Sequence, residues 1–168
     1  DDAFTMLLKK HGLSLKMPDS QEQERNAQLT RAKEITAKRI GLMLQGRLGM
    51  IIDGTGGNYQ DIKNQRTAFQ KLGYDTYMVF VNTELETALR RNLNPDRGRP
   101  VPEPIVIANH KQVQKNRRQL MNIFGSNYVE VDNDKDVDVI NSNVYKKIVS
   151  LQRKPYTKQK AKDWVRDE

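Results

Sequence analysis

Apolar residues along the chain recur in two patterns, one typical of strands and one typical of helices. Nearly continuous apolar runs predict strands buried in a parallel sheet; they cover 48–52, 74–82 and 128–131. Apolar residues three or four positions apart predict helices; they cover 4–10, 21–44, 59–72, 105–124 and 137–151. A capping box of Thr83 and Glu86 predicts one more helix over 83–91. Because strands alternate with helices, the pattern predicts an α/β fold with a parallel sheet.

The first predicted strand runs into a polar turn, DGTGGN, at residues 53–58. In open α/β sheets, ligands bind at the carboxyl ends of the strands, where loop amides and helix N-termini converge. A plain strand-to-helix turn would explain the glycines, because glycine tolerates positive φ, but it would not explain the carboxylate. Asp53 and Thr55 are therefore candidate ligand-binding residues.

Four arginines fall within ten residues around a proline-bearing loop: Arg90, Arg91, Arg97 and Arg99. Planar guanidinium groups complement the oxygens of a phosphoryl group better than lysine does. A loop that is basic only because it faces water is the alternative interpretation. The cluster indicates an anionic ligand.

Composition narrows the classes of protein. The 168 residues carry 29 Lys and Arg against 21 Asp and Glu, a net charge of +8, which favours nucleotides, nucleic acid or other phosphates as partners. The absence of cysteine excludes disulfides and thiolate metal sites, and two histidines are too few for a histidine cluster. We find neither a membrane-length apolar run nor a leader, and expect a cytoplasmic protein with no membrane partner. The oligomeric state stays open.

The order of these features resembles a known family. An acidic pair opens the first helix (Asp1, Asp2), the IIDGT strand end follows, and the loop RRNLNPDRGRPVP precedes a basic helix. This order resembles the P-loop kinases grouped around the polynucleotide 5'-kinase domain and the zeta-toxin kinases. The resemblance covers residues 1–131 and implies a three-layer α/β nucleotide-kinase fold that binds ATP and Mg²⁺. It predicts a kinase-like domain over 1–151 and a basic, solvated tail over 152–168, with Trp164 as the candidate anchor of the tail.

The resemblance also implies roles for the candidate residues. Asp1 or Asp2 would accept the proton of the acceptor hydroxyl, although both could simply cap the helix. Asp53 and Thr55 would contact the acceptor and, through water, the metal. Arg97 or Arg99 would stabilise charge on the transferred phosphoryl group, with Arg90 and Arg91 as further substrate-binding candidates. Gly54 separates Asp53 from Thr55, a departure from the Asp-Thr of some polynucleotide kinases that is closer to the zeta-toxin pattern.

The phosphate-binding loop of that family is missing. No GxxxxGK(S/T) motif occurs in the sequence, and the resemblance places that loop and its central strand before Asp1. A sheet without this strand would expose open edges. We therefore expect a kinase that transfers the γ-phosphate of ATP to a nucleic-acid end or a sugar nucleotide. The alternatives are a non-catalytic module that binds nucleic acid or a partner through its basic surface, and a hydrolase with the same fold.

Overall fold

Helices make up most of the chain, and a small parallel sheet lies among them. The computed structural model describes residues 2–16, 18–94, 100–134 and 137–167. The elements in these residues are α1 (Asp2–Lys10), α2 (Glu22–Gln45), α3 (Tyr59–Leu72), β1 (Met78–Asn82), α4 (Leu85–Asn92), α5 (Glu103–Phe124), β2 (Tyr128–Asp132), α6 (Val137–Gln152) and α7 (Gln159–Arg166). Short 3-10 turns at Asp19–Gln21 and Gly125–Asn127 precede α2 and β2.

The predicted helices are confirmed, and their ends follow the expected chemistry. α2 stops at Gly46, whose N–H bonds the carbonyl of Leu42. α3 stops at Gly73, whose φ of 108° is a left-handed conformation that glycine adopts without strain. α5 carries Pro104 in its first turn, where a helix requires no N–H donor.

The described chain divides into two compact units. The first comprises Asp1–Gly54 and Asn92–Val101, and the second comprises Thr55–Arg91 and Pro102–Glu168. The core of the first unit forms where α1 packs against α2. Its buried residues are Ala3, Phe4, Leu7, Leu8 and Ala32. Most of the remaining surface of α2 is exposed, including the apolar side chains of Leu42 and Met43.

The second unit is built around the sheet. β1 and β2 pair in parallel, with Met78 opposite Tyr128 and Asn82 opposite Asp132. The connection between them passes through α4 and α5, as parallel strands require a crossover. α5 packs on both strands and on α3, and α6 packs on β2. Phe80, Leu120 and Phe124 form the buried centre of this unit, so α5 supplies two of its three core residues.

The sheet confirms the α/β class and corrects its predicted size. Two strands form in the described residues: β1 lies within the predicted run 74–82, and β2 extends one residue beyond the predicted run 128–131. The predicted strand over 48–52 is wrong, because this segment adopts neither helix nor strand. The side chain of Ile51 is 96% exposed, and no neighbouring strand pairs with this run in the part of the chain that the structure describes.

Two local predictions also change. α4 begins at Leu85, and Thr83 does not form the predicted capping box with Glu86. The hydroxyl of Thr83 accepts a hydrogen bond from Asn133 instead, at 3.2 Å. The tail expected to be solvated contains α7, with Ala161 buried. Trp164 anchors it as predicted, since its ring meets that of Tyr74 edge to face at 5.6 Å. The predicted domain boundary at residue 151 stays a prediction.

Candidate functional site

A glycine turn opens α3 in the second unit. The Thr55 hydroxyl accepts a hydrogen bond from the N–H of Gly57 at 3.4 Å. Gly56 has a φ of 75°, where a side chain would be strained. The Asn58 side chain then caps the helix by accepting from the N–H of Asp61 at 3.2 Å. The turn is thus fixed at both ends by side-chain hydrogen bonds within its own sequence.

A buried asparagine on α5 holds this turn from the other side. Asn116 is 3% exposed, and its amide donates to the carbonyls of Gly56 at 3.0 Å and Gly57 at 2.8 Å. Gln112 donates in turn to the Asn116 side-chain oxygen at 3.2 Å. A Cβ at Gly56 would come within 3.8 Å of Val113, so α5 and the turn pack closely. Buried polar groups need such partners, and here they are the backbone of the turn.

Sequence reasoning missed Asn116, although a signal for it exists. The residue lies on the apolar stripe of α5, between Val113 and the buried Leu120 and Phe124. A polar residue in an apolar stripe is expected to be buried with a specific partner. The sequence therefore indicated a buried amide on α5, but not that the glycine turn was its partner.

Polar side chains also converge at the carboxyl ends of β1 and β2. The backbone ladder continues past the strands, because the N–H of Asn133 donates to the carbonyl of Asn82 at 2.8 Å. Asp134 accepts the N–H of Glu84 on both carboxylate oxygens, at 2.9 and 3.1 Å. The first free N–H at the start of α4 is therefore satisfied by an acidic side chain, as helix N-termini favour.

Two residues of α5 complete this end of the sheet. Gln114 donates to the Asn82 side-chain oxygen at 2.8 Å, and His110 Nε2 donates to the carbonyl of Thr83 at 2.9 Å. His110 is half-buried, and its contact is with the backbone. This edge, where ligands bind in parallel sheets, is thus organised by side-chain amides, one imidazole and the Asp134 carboxylate.

The predicted arginines differ in their surroundings. Arg91 is half-buried and donates through Nη2 to the carbonyl of Asn133 at 2.7 Å, whereas Arg90 is exposed. Arg91 therefore connects α4 to the residue that follows β2. Arg90 is the more accessible of the two cations. Arg97 and Arg99 lie outside the described residues.

The ends of the arginine loop are tied together in the first unit. Asn92 is 4% exposed, and its amide donates to the carbonyl of Val101 at 2.7 Å. The N–H of Val101 donates back to the Asn92 side-chain oxygen at 2.9 Å. These two hydrogen bonds hold Asn92, which precedes the two arginines in the sequence, next to Val101, which follows them.

Of the predicted aspartate and threonine residues, the structure describes the side chains of Asp53 and Thr55. Asp53 is exposed in the first unit, and Thr55 is exposed in the second. Asp2 begins α1, whose backbone alone is described there, and Asp1 lies outside the described residues. Within 2–16, 18–94, 100–134 and 137–167, no three histidine or acidic side chains lie close enough to hold a metal. The 168 residues contain no GxxxxGK(S/T) motif.

One ion pair beside the sheet is well defined. The Arg117 guanidinium donates two hydrogen bonds to the Glu130 carboxylate, at 2.9 and 2.6 Å, and the Tyr128 hydroxyl donates a third at 3.2 Å. Burial, and then the negative charge of Glu130, raise the pKa of Tyr128 to about 12. The hydrogen bond to Glu130 raises the pKa of Arg117. Tyr128 thus stays protonated well above the usual range of tyrosine.

The parallel strand pair and the helices packed on it define a mixed α/β protein. The family model described as Zeta toxin matches residues 16–145, which is more than half of the chain. The chain therefore belongs to the zeta toxin family, a P-loop kinase-like family of nucleotide-binding proteins.

Further comparisons set the limits of this result. No curated protein and no solved structure matches the chain. Residues 146–168 lie outside the family match. Among the described residues, no helix is both long enough and apolar enough to span a membrane.

Proposed function

We propose that this protein is an ATP-dependent phosphotransferase that moves the γ-phosphate to a hydroxyl of a nucleic-acid end or a sugar nucleotide. The observation that carries the proposal is the zeta toxin match over residues 16–145, which spans both the glycine turn and the arginine loop. ATP, Mg²⁺ and the three-layer P-loop architecture belong to the proposal, as does the acceptor.

Each candidate residue has a proposed role in phosphate transfer. Asp1 or Asp2 accepts the proton of the acceptor hydroxyl, since a carboxylate within hydrogen-bond reach can activate it. Asp53 and Thr55 bind the acceptor, and their exposure leaves both side chains accessible to it. Arg97 or Arg99 stabilises charge on the phosphoryl group. The bonds between Asn92 and Val101 support this assignment, because they fix the two ends of the loop that carries the arginines.

Arg90 and Arg91 would have unequal parts. Arg90 is exposed and is proposed to bind substrate. Arg91 donates to the backbone of Asn133, so it is proposed to position the end of the sheet next to the substrate.

The phosphate-binding loop is the first thing to test. The proposal requires a GxxxxGK(S/T) loop that the 168 residues do not contain. The codons upstream of Asp1 in the gene are the place to look for it. An apolar strand ending in such a loop would support the kinase, and an encoded protein without the loop would contradict it.

The second test measures phosphate transfer by the full-length protein. γ-Labelled ATP would be incubated with single-stranded DNA, RNA carrying a 5'-hydroxyl, and UDP-sugars in separate reactions. We expect label to move to one acceptor class. Release of free phosphate without a labelled acceptor would instead indicate a hydrolase, and would contradict the proposal.

Matched variants connect the activity to the proposed residues. Asp53→Asn and Arg99→Ala should each lower transfer by about 10²-fold or more, the scale of acid–base and electrostatic groups. Asp19→Asn and Arg39→Ala remove the same charges from exposed positions in the first unit and should retain activity. Equal losses in both pairs would remove the assignment of Asp53 and Arg99.

A further inference from the structure

The end of α6 and the turn after it line an open groove, and all but one of the residues that line it lie beyond the family match. The groove is open to solvent and has a volume of about 510 Å³; its walls include Tyr145, Lys146, Val149, Ser150, Arg153 and Lys154. The match ends at residue 145, so all but the first of these residues lie beyond it.

The groove is strongly basic. Its lining contains three cations, Lys146, Arg153 and Lys154, and no acidic residue. Lys154 contributes to the wall, since its amine donates to the carbonyl of Ser126 at 3.3 Å and to the Asn127 side chain at 3.2 Å. Lys146 and Arg153 are exposed, and within the described residues neither side chain has a hydrogen bond or an ion pair. Their charges are therefore available to an anion.

An exposed aromatic side chain stands beside these cations. Tyr145 is 70% exposed and lies one residue before Lys146, at the start of the groove wall. Aromatic rings that stack on bases, next to cations that track a phosphate backbone, are the combination that binds single-stranded nucleic acid.

A structural role for the cations explains only part of this arrangement. Basic residues near a helix C-terminus offset the partial negative charge of the last carbonyls. That effect falls off within the last turn, so it accounts for Arg153, next to the end of α6 at Gln152, but not for Lys146. It also does not account for the exposed ring of Tyr145.

We propose that the groove at the end of α6 binds single-stranded nucleic acid, with Lys146 and Arg153 on phosphates and Tyr145 stacked on a base. The proposal does not depend on phosphate transfer, because binding at this groove involves no ATP. Duplex DNA is disfavoured as the ligand, since its bases are stacked within the helix and offer Tyr145 no free face.

Fluorescence anisotropy with labelled dT₁₂ and rU₁₂ tests the binding on the full chain without nucleotide. For the two available cations, the dependence of log K on log salt should include a contribution of about −1.4. Lys146→Gln with Arg153→Gln should reduce the slope by about that amount. Lys33→Gln with Lys38→Gln, an equal loss of charge on exposed residues of α2, should leave the slope near the wild-type value.

The stacking contact has its own pair of variants. Tyr145→Ala should weaken binding about tenfold, and Tyr145→Phe should retain it, because the ring and not the hydroxyl provides the contact. The exposure of Tyr145 means that folding should survive both changes, which circular dichroism would check.

Four results would overturn the proposal. They are no binding to either oligonucleotide at low salt, equal losses in the two charge-matched double variants, an unchanged affinity of Tyr145→Ala, and equal competition by poly-glutamate. The last result would identify the groove as a site for acidic proteins or general polyanions. A preference for dT₁₂ or rU₁₂ would support the proposal and identify the kind of strand.

Discussion

Two buried asparagines hold two different loops, one in each unit of the chain. Asn92, at the end of α4, bonds Val101 nine positions away, and Asn116, in the middle of α5, bonds Gly56 and Gly57 about sixty positions away. We call the hydrogen bonds between Asn92 and Val101 the local clamp, and those from Asn116 to Gly56 and Gly57 the long-range clamp. The local clamp joins two residues that are close in sequence. The long-range clamp can form only after α5 has packed beside α3. Both loops are held by hydrogen bonds from a buried asparagine. Only the hydrogen bonds of Asn116 require two helices to be packed together first.

The largest expected loss of stability comes from a substitution in the core that holds α5, and with it Asn116, in place. Leu120 is fully buried at the centre of the second unit, one helical turn beyond Asn116. Leu120→Ala should destabilise that unit by about 2–5 kcal/mol, because it leaves a cavity in a packed core. Chemical denaturation would measure the loss.

Hydrogen exchange of the same variant sharpens the comparison. Protection should fall in β1, β2 and the glycine turn, while the amide of Val101 should change least. Leu42→Ala, at a position 58% exposed on α2, should cost little and serves as the matched control. If hydrogen exchange increased equally at Val101 and in the glycine turn, the two clamps would depend equally on the core of the second unit.

The second effect breaks the long-range clamp itself. Asn116→Ala leaves two carbonyls of the turn without their donor, and one unsatisfied buried group costs about 1–3 kcal/mol. Denaturation should therefore show a loss of about 2 kcal/mol. Asn122→Ala, at an exposed position of the same helix, should change stability little. A stable Asn116→Ala protein would mean that water replaces the amide.

The third effect breaks the local clamp. Asn92→Ala removes a donor and an acceptor from Val101, which is half-buried, so we expect a smaller loss of about 1 kcal/mol. Exchange of the Val101 amide should rise clearly. Asn26→Ala on α2 is the matched control in the first unit. If Asn92→Ala lost more stability than Asn116→Ala, the local clamp would contribute more than the long-range clamp, contrary to our inference.

The smallest effect is on pH dependence and concerns the second unit, which contains all six tyrosines. The pKa of Tyr128 is about 12 in the folded chain and 10.0 without the fold. Between these values the unfolded chain binds fewer protons, so the contribution of Tyr128 to stability is complete below pH 10 and is lost as pH rises to 12. Unfolding of Tyr128→Phe should depend less steeply on pH in this window. Tyr145→Phe, at an exposed ring, should behave as wild type.

The sequence predicted what is local and missed what depends on distant partners. The helices were predictable because their apolar spacing and glycine stops lie within each segment, as at Gly46 and Gly73. The run at 48–52 has the composition of a strand, but a strand forms only where another strand pairs with it. Thr83 resembled a helix cap, yet its partner is Asn133, fifty positions away.

The candidate site shows the same limit. Asp53, Thr55 and the arginines could be selected from motif order, but the partner of Asn116 could not. The chemistry of Asp1, Asp2, Arg97 and Arg99 rests on the resemblance, and these assignments stay predictions.

The parallel pairing of β1 with β2 has a consequence for synthesis of the chain on the ribosome. Met78 pairs with Tyr128, so β1 leaves the ribosome long before its partner exists. At about 5–20 residues per second, β1 waits roughly 3–10 seconds for β2. During that interval the apolar run of β1 is exposed and open to chaperones, whereas α1 and α2 are already complete and can form their core.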